Sequence, residues 1–210
     1  MESLPKSGLY YPNNLARITL LALEDVMGTN GVNALLNLAN HRELIGNFPP
    51  DNMEAQFDFA DLSGIIGSLD DMYGARGSRV LALRAGIATF DETLKNIGEA
   101  VDVKDESFVA MPIVEKMRVG LSLVGITFTQ STKNIPTISE DDSHFIYSVA
   151  YCPICWGRTT AEPSCHILTG LLKGALKWVT QGTEFNVSQN TAHSCGAPTC
   201  DFIIPKEPAS

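Results

Sequence analysis

Apolar residues recur at helical spacing through the first part of the chain. The spacing predicts helices over residues 13–27, 31–41 and 59–74, and a longer one from about Ser78 onward. Glycines close the first and third of these segments, as is common at helix C-termini. The stretch at 45–52 is rich in proline and asparagine, which is typical of a loop. We therefore expect the N-terminal part to be mainly helical.

One further predicted helix, over about residues 108–128, is apolar on more than one side. Such a helix lies at the centre of a fold, in an oligomer interface or beside an apolar cavity. The helix from Ser78 has one apolar stripe and, next to it, a side made of small residues, which favours close packing. The side chains expected to line an apolar cavity here are Phe90, Met117, Leu121, Val124 and Trp178.

The last third of the chain changes character. An acidic turn, followed by a strand with Phe145, Tyr147 and Val149 on one face, predicts a β-hairpin over residues 137–152. A helix is expected from Pro163, because its apolar positions again recur at helical spacing. Two more strands are expected over residues 184–193 and 199–205.

This order of elements predicts an α+β fold. A helical layer over residues 1–132 would pack on a C-terminal antiparallel sheet with one inserted helix, residues 133–210. The sequence contains no internal repeat and no low-complexity linker. A single domain over residues 1–210 is therefore expected.

Composition narrows the range of partners. The apolar fraction of 44% supports a substantial core, and the formal net charge of −9 argues against nucleic acid or an anionic membrane as partner. No apolar run is long enough to span a bilayer, and the first residues lack the shape of a signal peptide. A cytoplasmic protein is expected, in which cysteines are thiols or metal ligands more often than disulfides.

All five cysteines fall in the last third, and the first two have the Cys-x-x-Cys spacing. That spacing lets a tight turn point two sulfurs at one ion, and four tetrahedral donors close a structural zinc site. The candidate metal ligands are Cys152, Cys155, Cys165, Cys195 and Cys200, with His166 and His193 as further donors. Zinc is the cofactor that these residues favour, and otherwise none is expected.

Two other interpretations of the cysteines remain open. A redox pair of the thioredoxin type should open a helix directly after a strand, whereas Trp156, Gly157 and Arg158 follow this pair. Cys165 lies on an apolar stripe and could be buried sulfur, because free cysteine buries readily. The sequence shows no nucleotide-binding or hydrolase motif and no paired metal-binding histidines. It gives no sign of an enzyme.

The C-terminal part resembles a known family. A cysteine at a helix start, glycines four residues apart and a closing Gly-x-Pro-x-Cys-x-Phe hairpin are similar to the 4-vinyl reductase, or hydrocarbon-binding, domain. The matching positions are Cys165, Gly170, Gly174, Gly196, Pro198, Cys200 and Phe202. The upstream segment "MYGARGSRVLALRAGIATF" helps to extend the resemblance over most of the chain.

The resemblance implies a fold like that of TRAPP trafficking subunits, dimerisation through N-terminal helices (here residues 9–39) and a small apolar ligand in an interior cavity. In aromatic-sensing relatives, zinc is held by a Cys, a Glu and two further Cys. By position these are Cys165, Gln189, Ala192 and Cys200. Two of the four donors are therefore missing, and other cysteines of this chain would have to replace them.

These observations favour a binding module for a small hydrophobic ligand, either a sensor or a carrier, that forms a homodimer. One alternative is a reductase, or a reductase accessory, that acts on a tetrapyrrole vinyl group. It ranks lower because no nucleotide fingerprint supplies a hydride or electron source. The other alternative is a TRAPP-like assembly subunit.

Overall fold

Helices dominate the first part of the chain and strands the last third. The computed structural model describes residues 4–97, 101–132 and 135–209. The elements are β1 (Tyr10–Pro12), α1 (Asn13–Leu38), β2 (Ala55–Asp58), α2 (Phe59–Ile97), α3 (Glu106–Val109), α4 (Ile113–Thr132), β3 (Thr137–Glu140), β4 (His144–Val149), α5 (His166–Val179), β5 (Ser188–Gln189) and β6 (Cys200–Pro205). The architecture is α+β with an antiparallel sheet, which confirms the predicted fold class.

Two glycines bend the long helices at the points where the sequence predicts helix ends. Gly28 has a φ of 76° inside α1, and Gly74 has a φ of 66° inside α2. Glycine adopts this left-handed region without the steric cost that a Cβ brings. The helical backbone is interrupted at each glycine, as predicted, and a second helical half follows directly after it in both α1 and α2.

The predicted helix over 108–128 is divided in the structure. The short α3 ends at Val109, and α4 begins only at Ile113, after Pro112. The carbonyl of Pro112 accepts hydrogen bonds from the N–H groups of Glu115 and Lys116. A proline before the first helical turn is tolerated because no partner is needed for its missing N–H.

The main sheet has the strand order β3-β4-β6-β5, and all its pairings are antiparallel. In the central pair, Tyr147 stands opposite Phe202 and Val149 opposite Cys200. The expected strand over 184–193 is wrong in length, because only Ser188–Gln189 pairs with β6. A separate two-stranded sheet, β1 with β2, precedes α2 and was not expected.

A shared apolar core joins the helices to the sheet. Its fully buried side chains come from α1, α2, α4, α5, β4 and β6, for example Leu20, Leu62, Leu121, Leu172, Phe145 and Phe202. The single domain over residues 1–210 stays a prediction. Within the described ranges, each helix is either too short or too polar to cross a membrane.

Candidate metal centre

Four of the five cysteines converge in the interior. The Sγ atoms of Cys152, Cys155, Cys165 and Cys200 all lie within 4.8 Å of one another. The Sγ–Sγ distance is 3.6 Å between Cys152 and Cys165, 3.5 Å between Cys155 and Cys200, and 4.0 Å between Cys165 and Cys200. All four side chains are at most 1% exposed, and all are free thiols.

Two of the sulfurs come from the Cys-x-x-Cys loop between β4 and α5. The chain turns sharply after Cys155, where the N–H of Arg158 donates to the Cys155 carbonyl at 3.3 Å. Gly157 makes this turn possible with a φ of 68°. Trp156 anchors the loop on the helical part, because its ring packs edge-on against Phe59 with centroids 6.4 Å apart.

The third sulfur stands at the start of α5. Cys165 is the residue before the first helical turn, and its backbone N–H donates to Oε1 of Gln189 on β5 at 2.8 Å. The resemblance described above implied a metal-binding Glu at the position of Gln189. In this structure its amide positions the Cys165 backbone, so β5 and α5 are joined at the cluster.

The fourth sulfur belongs to Cys200, the first residue of β6, which follows a short 3₁₀ turn, His193–Cys195. The N–H of His193 donates to the Cys200 Sγ at 3.4 Å. The N–H of Ser194 donates to Cys155. Backbone N–H groups aimed at sulfur stabilise its negatively charged form, because they are fixed partial positive charges.

The sulfurs change one another's acidity. The hydrogen bond from Cys152 and the further bonds from Cys165 and Cys200 lower the pKa of Cys155 below its ordinary value. The same contacts, with burial, raise the pKa of Cys152 well above it. The pKa of Cys165 is also raised, because its bonds with Cys155 and Cys200 and its burial outweigh the opposite effect of Cys152. A metal ion would have to displace protons here, since only thiolates ligate.

The remaining candidate donors lie apart from the cluster. Cys195 is exposed, and its Sγ contacts Thr160 Oγ1 at 3.6 Å. His193 bonds through Nε2 to the carbonyl of Ala150. The structure thus brings together four cysteines from a set of five that the sequence could not divide, because spacing alone does not show which side of a turn a side chain takes.

The side chains expected to line an apolar cavity are buried or half-buried in the helical part. Met117, Leu121 and Val124 on α4 are at most 4% exposed. Phe90 on α2 and Trp178 on α5 face each other with ring centroids 6.0 Å apart. Their role in binding a ligand stays a prediction.

The comparisons with known proteins identify the fold. No family model and no curated protein matches the sequence. Several solved structures do match, including an Fe(II) unliganded H-NOX protein from K. algicida, with 10% identity, a TM-score of 0.55 and coverage of 95% of this chain and 97% of that one. An H-NOX protein from S. oneidensis in the Fe(II)NO ligation state matches with 17% identity, a TM-score of 0.54 and coverage of 92% and 98%. The chain has the H-NOX fold.

This finding corrects two expectations. The resemblance to the 4-vinyl reductase family, with the TRAPP-like fold that it implied, is wrong, because the matching solved structures are H-NOX proteins. The expectation of zinc or of no cofactor is wrong as well, because a structure of this fold is described by its heme and others by their iron. The short motif of cysteines and glycines did not identify the family.

The histidines and cysteines of this chain do not fit a heme. An axial histidine has to stand in a pocket that accepts the macrocycle. His41 and His144 instead contact acidic side chains, and His193 bonds to a backbone carbonyl. His166 lies in the first turn of α5, beside Arg79, Asp70 and Arg158. The four buried cysteines contact one another, with every Sγ within 4.8 Å of the other three, and none stands alone as an axial heme ligand would.

Proposed function

We propose that this chain is a small-molecule-binding module of H-NOX fold that carries a single transition-metal ion on Cys152, Cys155, Cys165 and Cys200. The observation that carries the proposal is the convergence of four buried sulfurs within 4.8 Å. Three separate segments supply these sulfurs, so it is the tertiary fold that brings them together. Packing of a core does not by itself require buried thiols to lie in contact with one another.

The distances suit one ion. Tetrahedral coordination with metal–sulfur bonds of about 2.3 Å places neighbouring sulfurs about 3.8 Å apart. Three of the six separations, 3.5, 3.6 and 4.0 Å, lie on either side of that value, and the others are at most 4.8 Å. Cysteines that hold a multi-iron cluster bind different irons and stand farther apart. The four sulfurs therefore support a mononuclear site.

The role of the ion would be structural. Four sulfur donors leave no open coordination position for a substrate. The ion would instead fasten the Cys-x-x-Cys loop, the start of α5 and the start of β6 to one point. This role is independent of heme, and it needs none of the histidines.

Ligand binding is supported by the fold. The S. oneidensis protein of the same fold is described with NO bound at its iron. By this likeness we propose that the present chain senses or carries a small molecule, with Phe90, Met117, Leu121, Val124 and Trp178 as candidate contacts for an apolar one. We also propose a homodimer formed through residues 9–39, the arrangement with the simplest closed symmetry.

Metal content tests the proposal. Protein purified under reducing conditions without chelators should contain about one transition-metal ion per chain by elemental analysis. Cys165→Ser and Cys200→Ser should each lose most of the metal, because a hydroxyl is a poor ligand for a soft ion. Cys195→Ser is the matched control and should retain it. A native mass spectrum of the same sample counts the metal, any retained ligand and the subunits, for which we expect two.

The contrary result is equally clear. If wild-type protein binds no stoichiometric metal and its melting temperature is unchanged in chelator, the four cysteines are core sulfur. If Cys195→Ser loses the metal as fully as Cys165→Ser, the ligand set is wrong.

A further inference from the structure

Arg158 is a buried cation that is bonded to two of the segments that supply the clustered cysteines. Its side chain is only 9% exposed. Nη2 donates to the carbonyl of Ile154 at 2.9 Å and to Oγ of Ser164 at 3.3 Å. Ile154 lies inside the Cys-x-x-Cys loop, and Ser164 directly precedes Cys165. One guanidinium thus bridges two of the segments that supply sulfur.

The positive charge of Arg158 is incompletely compensated. The carboxylate paired with it is Asp70, at 3.5 Å from Nη1, and that side chain is 41% exposed. Asp70 also accepts a hydrogen bond from Ser78 Oγ. The Nε of Arg158 is buried and has no hydrogen-bond partner. Removing a cation from water is unfavourable unless opposite charge stands close by.

The surrounding backbone is shaped to admit this side chain. Gly67 on α2 lies under the arginine stem, where a Cβ would stand 2.9 Å from the Arg158 Cδ. Any larger residue at position 67 would push the guanidinium away. The fold therefore accommodates a buried guanidinium whose paired carboxylate, that of Asp70, is 3.5 Å away and partly exposed.

We propose that Arg158 is a positioning residue for the metal centre and supplies its counter-charge. This inference rests on the proposed metal site. Four thiolates around a divalent ion carry excess negative charge, and a nearby guanidinium offsets it while its two hydrogen bonds fix the ligand-bearing loops. A neutral core of four thiols would leave the same cation with Asp70, which is 41% exposed, as its charged partner.

Metal affinity measured by competition with a chromophoric chelator, with Co²⁺ as the metal, tests the inference. Arg158→Gln should weaken binding by about 10- to 100-fold, the usual effect of losing a partner outside the ligand shell. Arg158→Lys keeps the charge and should lose less. Arg76→Gln changes the net charge equally at an exposed position of α2 and should bind as the wild type does.

A second variant gives an effect of opposite sign. Asp70→Asn removes a competing negative charge and should leave Co²⁺ binding as tight as, or several-fold tighter than, in the wild type. If the pair with Arg158 were only structural, Asp70→Asn would weaken binding. Because Asp70 is partly exposed, this variant decides the matter even if Arg158→Gln does not fold.

The failures are distinguishable. If wild-type protein does not bind Co²⁺, the metal site itself is wrong and this inference falls with it. If the wild type binds but Arg158→Gln binds equally well, only the role of Arg158 is wrong. A melting temperature that falls in the metal-free Arg158→Gln protein as much as in the metal-bound one would show a purely structural arginine.

Discussion

At the scale of single residues, the Asp58 carboxylate accepts several hydrogen bonds at once. It is buried and accepts hydrogen bonds from the N–H and Oγ of Ser7 at 3.0 and 2.7 Å, and from the N–H of Gly8 at 3.3 Å. It also accepts from the N–H of Ala60 at 2.8 Å, in the first turn of α2. Burial acts to raise the pKa of Asp58, but these bonds outweigh it and hold the pKa below its ordinary value.

Asp58→Asn should therefore lower the free energy of unfolding by about 1.5–3 kcal/mol at neutral pH, the cost of losing bonds to a charged acceptor. A lowered pKa in the folded state stabilises the fold above the unfolded value of about 3.9 and loses this contribution as pH falls through the folded value. Urea unfolding of both proteins should show a difference that is full at neutral pH and shrinks in acid. Asp71→Asn, at an exposed site, is the control. An equal difference at both pH values would contradict this account.

The same scale shows what the cysteine pattern could reveal. Cys152 and Cys155 were recognisable as a pair because their spacing is local. The hydrogen bond from Cys165 to Gln189, and the position of Cys195 outside the cluster, depend on how β5 and β6 pack against α5. This packing is determined by strand register and by contacts between distant parts of the chain, which the spacing of residues does not predict. Arg158 had one sequence signal, its position just after the Cys-x-x-Cys turn.

At the scale of elements, α2 and α5 cross at a pair of glycines. A Cβ on Gly86 would lie 2.0 Å from the carbonyl oxygen of Ile167. A Cβ on Gly170 would lie 2.1 Å from the carbonyl oxygen of Leu83. Real Cβ atoms do not approach oxygen so closely, so the two backbones touch only because both positions are glycine. This contact fixes the axis of the helix that carries Cys165.

Gly86→Ala should push the helices apart and destabilise the fold by about 1–3 kcal/mol, as overpacking does. Gly64→Ala, in the same helix, is the matched control because its Cβ would meet nothing within 4 Å. It should stabilise the protein by about 0.5–1 kcal/mol through helix propensity alone. Urea unfolding separates the two. Equal effects would show that the crossing tolerates a methyl group.

Prediction from sequence succeeded for long periodic elements and failed for short ones. The helical stripes and the glycine bends at 28 and 74 could be predicted, since each is a local property of the chain. The pair β1 and β2 was missed because strands of three and four residues carry almost no periodicity. The segment 184–193 has strand-like composition, yet most of it runs as irregular chain because only two residues reach β6.

At the scale of the whole molecule, the shared core predicts one cooperative unfolding transition. Far-ultraviolet circular dichroism reports mainly the helices, and tryptophan fluorescence reports Trp156 beside the cluster and Trp178 on α5. Both probes should give the same midpoint. Two separate midpoints would divide the chain into independent units and contradict a single domain over residues 1–210.

Removal of metal should move that single transition. A ligand at about 100 times its dissociation constant stabilises by about 2.7 kcal/mol, which for a chain of this size is roughly 5–11 °C in melting temperature. Excess chelator should lower the midpoint by this amount in the wild type. The already metal-free Cys200→Ser protein should show no further change. A chelator effect of the same size in both proteins would point to some other site.

The sequential origin of the four sulfurs has a consequence during protein synthesis. Cys152, Cys155 and Cys165 are made first, and 35 residues separate Cys165 from Cys200, which at roughly 5–20 residues per second takes the ribosome roughly 2–7 s. For that interval the nascent chain presents three thiols without the fourth. Those thiols stay open to oxidants and to competing metals until β6 pairs with β4, so slow translation through this segment lengthens the time for which they are exposed.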